Sequence, residues 1–192
     1  MKNNVSIVKY GKIHENTIFI IILFRKEEKK MNIVLLEPEI PQNAGNIART
    51  CAATGSALHM IKPFGFSVED KYLKRAGLDY WKLLDIHYYE NFEDFLQKNQ
   101  YPSIFMATTK SKKIYTEPRY CQNSYIMFGK ESAGIPEEIL LDYAKTAVRI
   151  PMLEQARSLN LSNAVAVVLY EALRQQNFEG LLKQGQLHRH SW

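Results

Sequence analysis

The sequence predicts an α/β fold, a parallel sheet with helices on both faces, and two observations carry that expectation. From Met31 onward, short apolar runs alternate with segments of helical period, which is the pattern of strand–helix–strand crossovers. Three of the apolar runs lead into loops rich in Gly, Asn, Ser or Pro: "PEIPQNAGNIAR", "MFGKESAGIP" and "RIPMLEQARSLNLSNAVAV". In an open α/β sheet, ligands bind beyond the carboxyl ends of the strands, so the three loops are candidates for one shared pocket. Each is equally readable by itself as a plain strand–helix turn.

The elements follow in order. "NIVLL" (Asn32 to Leu36) reads as a short buried strand, and Asn43 to Thr54 as a helix with a small-residue face. "ALHMI" (Ala57 to Ile61) is a second strand, "EDKYLKRAG" a short basic helix stopped by Gly77, and "LLDIHYY" a third strand. "NFEDFLQK" has Asn91 where an N-cap belongs. "SIFMATT" (Ser103 to Thr109) and "SYIMFG" (Ser124 to Gly129) are further strands. "PEEILLDYA" reads as a helix with Pro136 at its first position, and "AVRIP" as a last strand. Leu159 to Gln176 is the longest helix. Leu161, Val165, Val168 and Ala172 line one face, and Ala164, Val167 and Leu173 make much of the remainder apolar. A helix apolar nearly all round is buried on more than one side. The second side is either another subunit or the core of a monomer.

A chain of 192 residues, 46% hydrophobic and 23% charged, has the composition of one globular domain plus a tail. The net charge of +5 is unevenly placed. Residues 1–30 hold seven Lys/Arg against three Asp/Glu, and the rest of the chain holds 18 against 17. A nucleic-acid surface on the main domain must therefore be a local patch and not a global field. The apolar run "TIFIIILF" (Thr17 to Phe24) is far shorter than the roughly 20 residues a membrane span needs. Residues 1–30 read as a dispensable or non-native extension ahead of Met31, with an edge strand or a membrane-surface anchor as the alternatives. The domain then spans 31–180, and 181–192 is a tail. Cys51 and Cys121 form no CxxC or metal-ligand spacing, which points to a reducing, cytoplasmic setting.

Absent motifs narrow the chemistry. None of the nine glycines stands two positions from another. That removes the Rossmann dinucleotide fingerprint and the glycine loop of Rossmann-type methyltransferases. There is no Walker A loop. "GKESAG" around Ser132 has the spacing G-x-x-S-x-G and not that of a nucleophile elbow. His188 and His190 are isolated near the terminus and read as a solvated tail, so no metal is expected.

Taken together, "LEPEIPQNAGNIAR", "MFGKESAGIP" and "ARSLNLSNAVAVVLYEA" resemble the three signature motifs of the SPOUT superfamily of S-adenosylmethionine-dependent RNA methyltransferases. Within it the chain is most similar to the minimal tRNA 2'-O-methyltransferases that act on the wobble nucleotide. The resemblance covers about Met31 to Gly180. It implies a C-terminal deep trefoil knot, a topology so rare that sequence periodicity alone argues against it. It also implies a homodimer and a cofactor, S-adenosylmethionine, held by the backbone of the knotted loops and released as S-adenosylhomocysteine. By resemblance, Ala107, Gly129, Ile150, Ser158 and Leu159 line the cofactor site, with Gly129 letting the backbone approach the ligand closely. Ser158, Asn160 or Ser162 is placed to cap the last helix.

The resemblance makes Arg49 the catalytic arginine, expected about one turn into its helix near the carboxyl end of the first strand. A surface ion pair with Glu37 or Glu39 is its alternative role. Tyr170 meets the methyl-accepting nucleotide or packs at the dimer seam. Arg157, Lys110, Lys112 and Lys113 are RNA candidates, the lysines otherwise being a solvated loop. The partner is tRNA and not DNA, because the acceptor 2'-hydroxyl exists only in RNA. Two other readings stay open: methylation of a different tRNA or rRNA position, and a non-catalytic RNA-binding module.

Overall fold

The computed structural model describes residues 30–67 and 84–191. β1 (Asn32–Leu36) and β2 (Ala57–Ile61) are buried along their whole lengths, as expected of central strands of a parallel sheet covered on both faces. They pair in register from Asn32 opposite Ala57 to Leu36 opposite Ile61. β3 (Asp85–Tyr89) flanks β2. β4 (Ile104–Ala107), β5 (Tyr125–Phe128) and β6 (Ala147–Val148) complete a six-stranded sheet of order β3-β2-β1-β5-β4-β6, every pair parallel. The chain builds outward from β1 through β2 to β3, then returns to lay β5 against the other edge of β1. That reversal creates the crevice in which open α/β sheets bind ligands.

Alternate residues of each strand face opposite layers. Ile33, Leu35, Leu58 and Met60 pack with α1 (Pro41–Thr54) and α4 (Leu161–Gln175). Val34, Leu36, Ile61 and Ile104 pack with α2 (Phe92–Lys98) and α3 (Glu137–Asp142). Helices therefore cover both faces, as the alternation of elements predicts. Ala44, Ala48 and Cys51 are the small residues that let α1 lie against Val165, Val168, Leu169 and Ala172 of α4. Placing Leu at Ala48, which is 2% exposed, would overpack this seam at a cost of about 1–3 kcal/mol.

Several boundaries differ from expectation, each for a local reason. α1 starts at Pro41, two residues early, because a proline fits the first helical position and gives up no needed N–H. It ends at Gly55, whose φ of 66° closes the helix. Pro136 is not the first helical residue but the extended N-cap of α3 (φ −53°, ψ 143°). Asn160 caps α4, its Oδ1 accepting from the N–H of Ser162 at 2.9 Å and of Asn163 at 3.4 Å. The helix expected in "EDKYLKRAG" lies outside the described residues.

β6 is shorter than "AVRIP" suggests because its neighbours change after Val148. The Val148 carbonyl accepts from Thr108 N–H of the β4 side at 2.9 Å. Arg149 instead bonds residues further along the same excursion: its N–H donates to the Lys113 carbonyl and its carbonyl accepts from Tyr115 N–H, both at 2.9 Å. Consecutive peptide groups of a strand point to opposite edges. The chain at 147–149 is thus flanked by two parts of one excursion, β4 on one edge and residues 113–115 on the other.

Candidate functional site

A cleft of about 630 Å³ opens beyond the carboxyl ends of β4, β5 and β6, within the size range of small-molecule sites. The end of β4 contributes Ala107 and the loop after it Thr108 and Thr109, the loop after β5 contributes Gly129 to Gly134, and the segment after β6 contributes Ile150, Met152 and Arg157 to Asn160. Phe128, Val148 and Val168 give it an apolar floor. The five residues expected at a cofactor, Ala107, Gly129, Ile150, Ser158 and Leu159, all line this one cleft. Gly129 has a different reason from the one expected: a Cβ there would overlap the Gly134–Ile135 peptide. Its hydrogen side chain is required by the loop closing on itself, whatever approaches from the cleft.

Side chains clamp the loops to one another. The Glu131 carboxylate accepts from the backbone N–H of Glu39 at 2.8 Å and of Ile40 at 3.3 Å, and from Asn43 Nδ2 at 2.8 Å. Ile40, the N-cap of α1, has no side-chain cap of its own; the carboxylate at the helix mouth supplies one from a distant loop. Asn160 Nδ2 donates to Asn43 Oδ1 at 2.9 Å and carries the contact into the third loop. In the reverse direction, Ser132 donates its N–H and Oγ–H to the Glu39 carboxylate at 2.9 and 2.8 Å. These two bonds, with a smaller contribution from Lys130, hold the Glu39 carboxyl below the usual carboxylate range. Ser132 is therefore a loop tie and is not placed as a nucleophile.

The cleft's charges divide into paired and unpaired. Lys130 meets Glu37 at 2.9 Å, a contact that raises its ammonium above the usual lysine value, and Lys110 meets Glu137 at 2.8 Å. Arg149 and Arg157 line the cleft with no carboxylate partner among the described residues. Glu37 and Glu39 are thus engaged by Lys130 and Ser132. Among the described residues no group of three or more His, Cys, Asp and Glu is placed to hold a metal ion.

Arg49 and Tyr170 lie elsewhere. Arg49 follows Pro41 by eight positions, roughly 12 Å along the axis of α1 at ~1.5 Å per residue. It is two turns in, not one, and the helix has carried it away from the carboxyl end of β1. It is exposed and is not among the residues lining the cleft. Tyr170, 48% exposed on α4, is outside the cleft too. The sequence reading missed Glu131, Asn43, Thr108 and Arg149. No local signal marks Glu131, whose partners lie about 90 residues earlier in the chain.

The chain matches the SpoU rRNA Methylase family over residues 30–170. It is 48% identical over 158 residues to a Yersinia pestis protein named tRNA (cytidine(34)-2'-O)-methyltransferase, covering 79% of this chain and 98% of that one. Among solved structures, one described as giving structural insights into the 2-OH methylation of C/U34 on tRNA superposes with a TM-score of 0.74 at 43% identity, over 78% of this chain and 97% of the other. An AdoMet-bound rRNA methyltransferase from Sinorhizobium meliloti superposes with a TM-score of 0.69 at 26% identity, over 77% of this chain and 57% of the other. With the parallel sheet, the three clamped loops and a family match that runs from Lys30 into α4, the chain belongs to the SpoU methylase family.

Proposed function

We propose that the chain is an S-adenosylmethionine-dependent tRNA 2'-O-methyltransferase of the TrmL (YibK) type, acting on the ribose of the wobble nucleotide, cytidine or modified uridine, in the anticodon loop. The observation that carries this reading is near-half identity to the Yersinia enzyme across 98% of that protein. The alternative of another tRNA or rRNA position draws on relatives of much lower identity, such as the 26% of the rRNA enzyme. A non-catalytic RNA-binding module has no observation of its own.

The cleft fits the cofactor. Phe128, Val148 and Val168 offer an apolar slot for the adenine. Backbone and hydroxyl groups at Ala107, Thr108, Gly129, Ile150, Ser158 and Leu159 supply polar partners. S-adenosylmethionine brings the methyl group on a sulfonium, a leaving group that needs no metal and no covalent intermediate. The protein's task is to align the 2'-hydroxyl and to ease loss of its proton to solvent, and alignment alone supplies up to roughly 7–11 kcal/mol in well-oriented systems. A guanidinium stays protonated with a pKa above about 12. Arg49 is accordingly a fork of oriented donors for a phosphate and for the developing alkoxide, and Tyr170 a ring for the accepting nucleotide.

Arg49 and Tyr170 stand outside the cleft of their own protomer. Two copies joined through the face of α4 that carries Val167 and Tyr170, 38% and 48% exposed, would set these residues against a partner's cleft. The commonest closed symmetry for such a pair is two-fold. The strand segment at 147–149, held between β4 and residues 113–115, supports a knotted threading of the C-terminal part. Residues 31–180 form the catalytic domain, with 1–30 and 181–192 outside it. The setting is cytoplasmic, where tRNA is; among the described residues no helix is long and apolar enough to cross a membrane. Transfer of a labelled methyl group from S-adenosylmethionine to bulk tRNA, with nucleoside mass spectrometry, tests the reading. A labelled 2'-O-methylated pyrimidine is expected. Cofactor binding by calorimetry without transfer to tRNA or rRNA would overturn it.

A further inference from the structure

The loop from β4 to β5 and the chain flanking β6 carry a group of cations, several of them outside the cleft lining. The Lys110 ammonium is taken by Glu137 at 2.8 Å. Lys112, Lys113, Lys145 and Arg149 have no carboxylate partner among the described residues. They are held close together: Lys113 Nζ donates to the Lys145 carbonyl at 2.8 Å, and Arg149 N–H donates to the Lys113 carbonyl at 2.9 Å. Ser111, only 9% exposed, pins the loop from beneath. Its Oγ–H donates to the Ala147 carbonyl at 2.8 Å and its oxygen accepts from Lys113 N–H at 3.0 Å. Glu117 is the one acid between residues 108 and 119, and its carboxylate is engaged by the Ile114 N–H at 2.9 Å.

Like charges gathered on a fixed backbone repel one another, and on a domain almost neutral in total they are unfavourable unless an anion meets them. The three lysines are exposed, and Arg149 also lines the cleft, so the strip starts at the proposed site of chemistry and leads away from it. Exposed ammonium groups are compact point charges that hold phosphates and do not read bases. We propose that Lys112, Lys113, Lys145 and Arg149 form a phosphate rail that grips the RNA backbone flanking the nucleotide whose ribose enters the cleft. This rests on the reading of the chain as a tRNA methyltransferase, and adds where on the surface the RNA strand runs.

The test is binding of an unmodified tRNA transcript to the full chain across a KCl series, with methyl transfer measured in parallel. The wild type is compared with the Lys112→Ala/Lys145→Ala double variant and with Lys98→Ala. Lys98 lies on α2, paired with Asp94, and serves as the charge control. The double variant should lower the slope of log affinity against log salt by about 2, near 1 per lost phosphate contact. It should raise KM for tRNA while leaving kcat and S-adenosylmethionine affinity unchanged, and Lys98→Ala should behave as the wild type. The rail is overturned if the double variant keeps the wild-type slope, or if Lys98→Ala lowers it as much. In either case wild-type methylation of tRNA leaves the underlying function standing. A wild type that neither binds nor methylates tRNA sinks both.

Discussion

Two buried or half-buried polar networks sit in opposite halves of the sheet. Beyond β4, β5 and β6, Glu131, Asn43 and Asn160 join three separate loops, mostly by satisfying backbone N–H groups. In the β1–β2–β3 half, His59 is 3% exposed and lies among side chains only. Its ring meets Tyr89 OH at 2.7 Å and Asn32 Oδ1 at 3.2 Å, and stacks 4.9 Å from His87. Every buried side-chain polar atom of the described residues has a partner, so both networks are closed. They differ in what they hold. The first ties the third loop, whose residues 153–160 are all exposed, to the other two. The second fixes strands already held by their ladders, and makes the fold sensitive to acid.

The largest effect is expected from Arg49, which neither network touches. Arg49→Lys keeps the charge but loses the planar fork, and should slow methyl transfer by at least roughly 10²-fold, as when one oriented donor is lost, with cofactor affinity little changed. Near-normal single-turnover transfer by Arg49→Ala would make the residue structural only.

Breaking the first network comes next. Glu131→Ala leaves the donors at Glu39, Ile40 and Asn43 without their acceptor, at a cost of about 1–3 kcal/mol. S-adenosylmethionine affinity by calorimetry should fall along with thermal stability. Loss of stability with unchanged cofactor affinity would show that the clamp does not shape the cleft.

The second network predicts a pH effect of similar size but without a functional one. Burial, with His87 adding to it and Asp85 opposing it, pushes the His59 imidazole down to about 3 from an ordinary 6.5. The imidazole stays neutral in the folded chain and takes up a proton on unfolding. Its contribution is intact above pH 6.5 and is lost as pH falls from there towards 3. By pH 4.5 the loss is roughly 2–3 kcal/mol. Melting temperatures of His59→Gln should therefore decline less steeply than the wild type between pH 6.5 and 4.5. Parallel declines would mean that His59 is not the group responsible.

The smallest effect is expected from removing residues 1–30. Lys30 bonds Asp85 at 2.7 Å, both partly exposed, and a chain starting at Met31 loses this pair as well, worth about 0–1 kcal/mol. Its melting temperature and tRNA methylation should match those of the full chain. A large drop in either would show that the extension is part of the domain.

The fold was legible where an uninterrupted apolar run marks a buried strand or a capping residue marks a helix start. β1, β2 and the capped α2 lie where alternation and Asn91 put them. The helix expected in "EDKYLKRAG" lies outside the described residues. Within the site, the five expected cofactor residues, at or beyond the carboxyl ends of strands, all reach one cleft. What escaped the sequence depends on contacts distant in the chain. Glu131 caps a helix about 90 residues away, and no local pattern marks such a pairing. β6 ends early because Arg149 turns to Lys113 and Tyr115, a neighbour relation set by topology. Arg49 lies further along α1 than expected, in part because the helix starts two residues earlier than its loop-like sequence suggests.

The most direct test of the account is methyl transfer to a tRNA transcript whose nucleotide 34 lacks the 2'-hydroxyl, compared with the all-ribose transcript of the same sequence. The Yersinia pestis relative is named for cytidine 34 of tRNA, and under the proposed function the same ribose enters this cleft. The all-ribose tRNA should take up label at nucleotide 34, and the 2'-deoxy tRNA should take up none while still binding. Equal labelling of the two would contradict the central claim and move the acceptor to another position of the RNA.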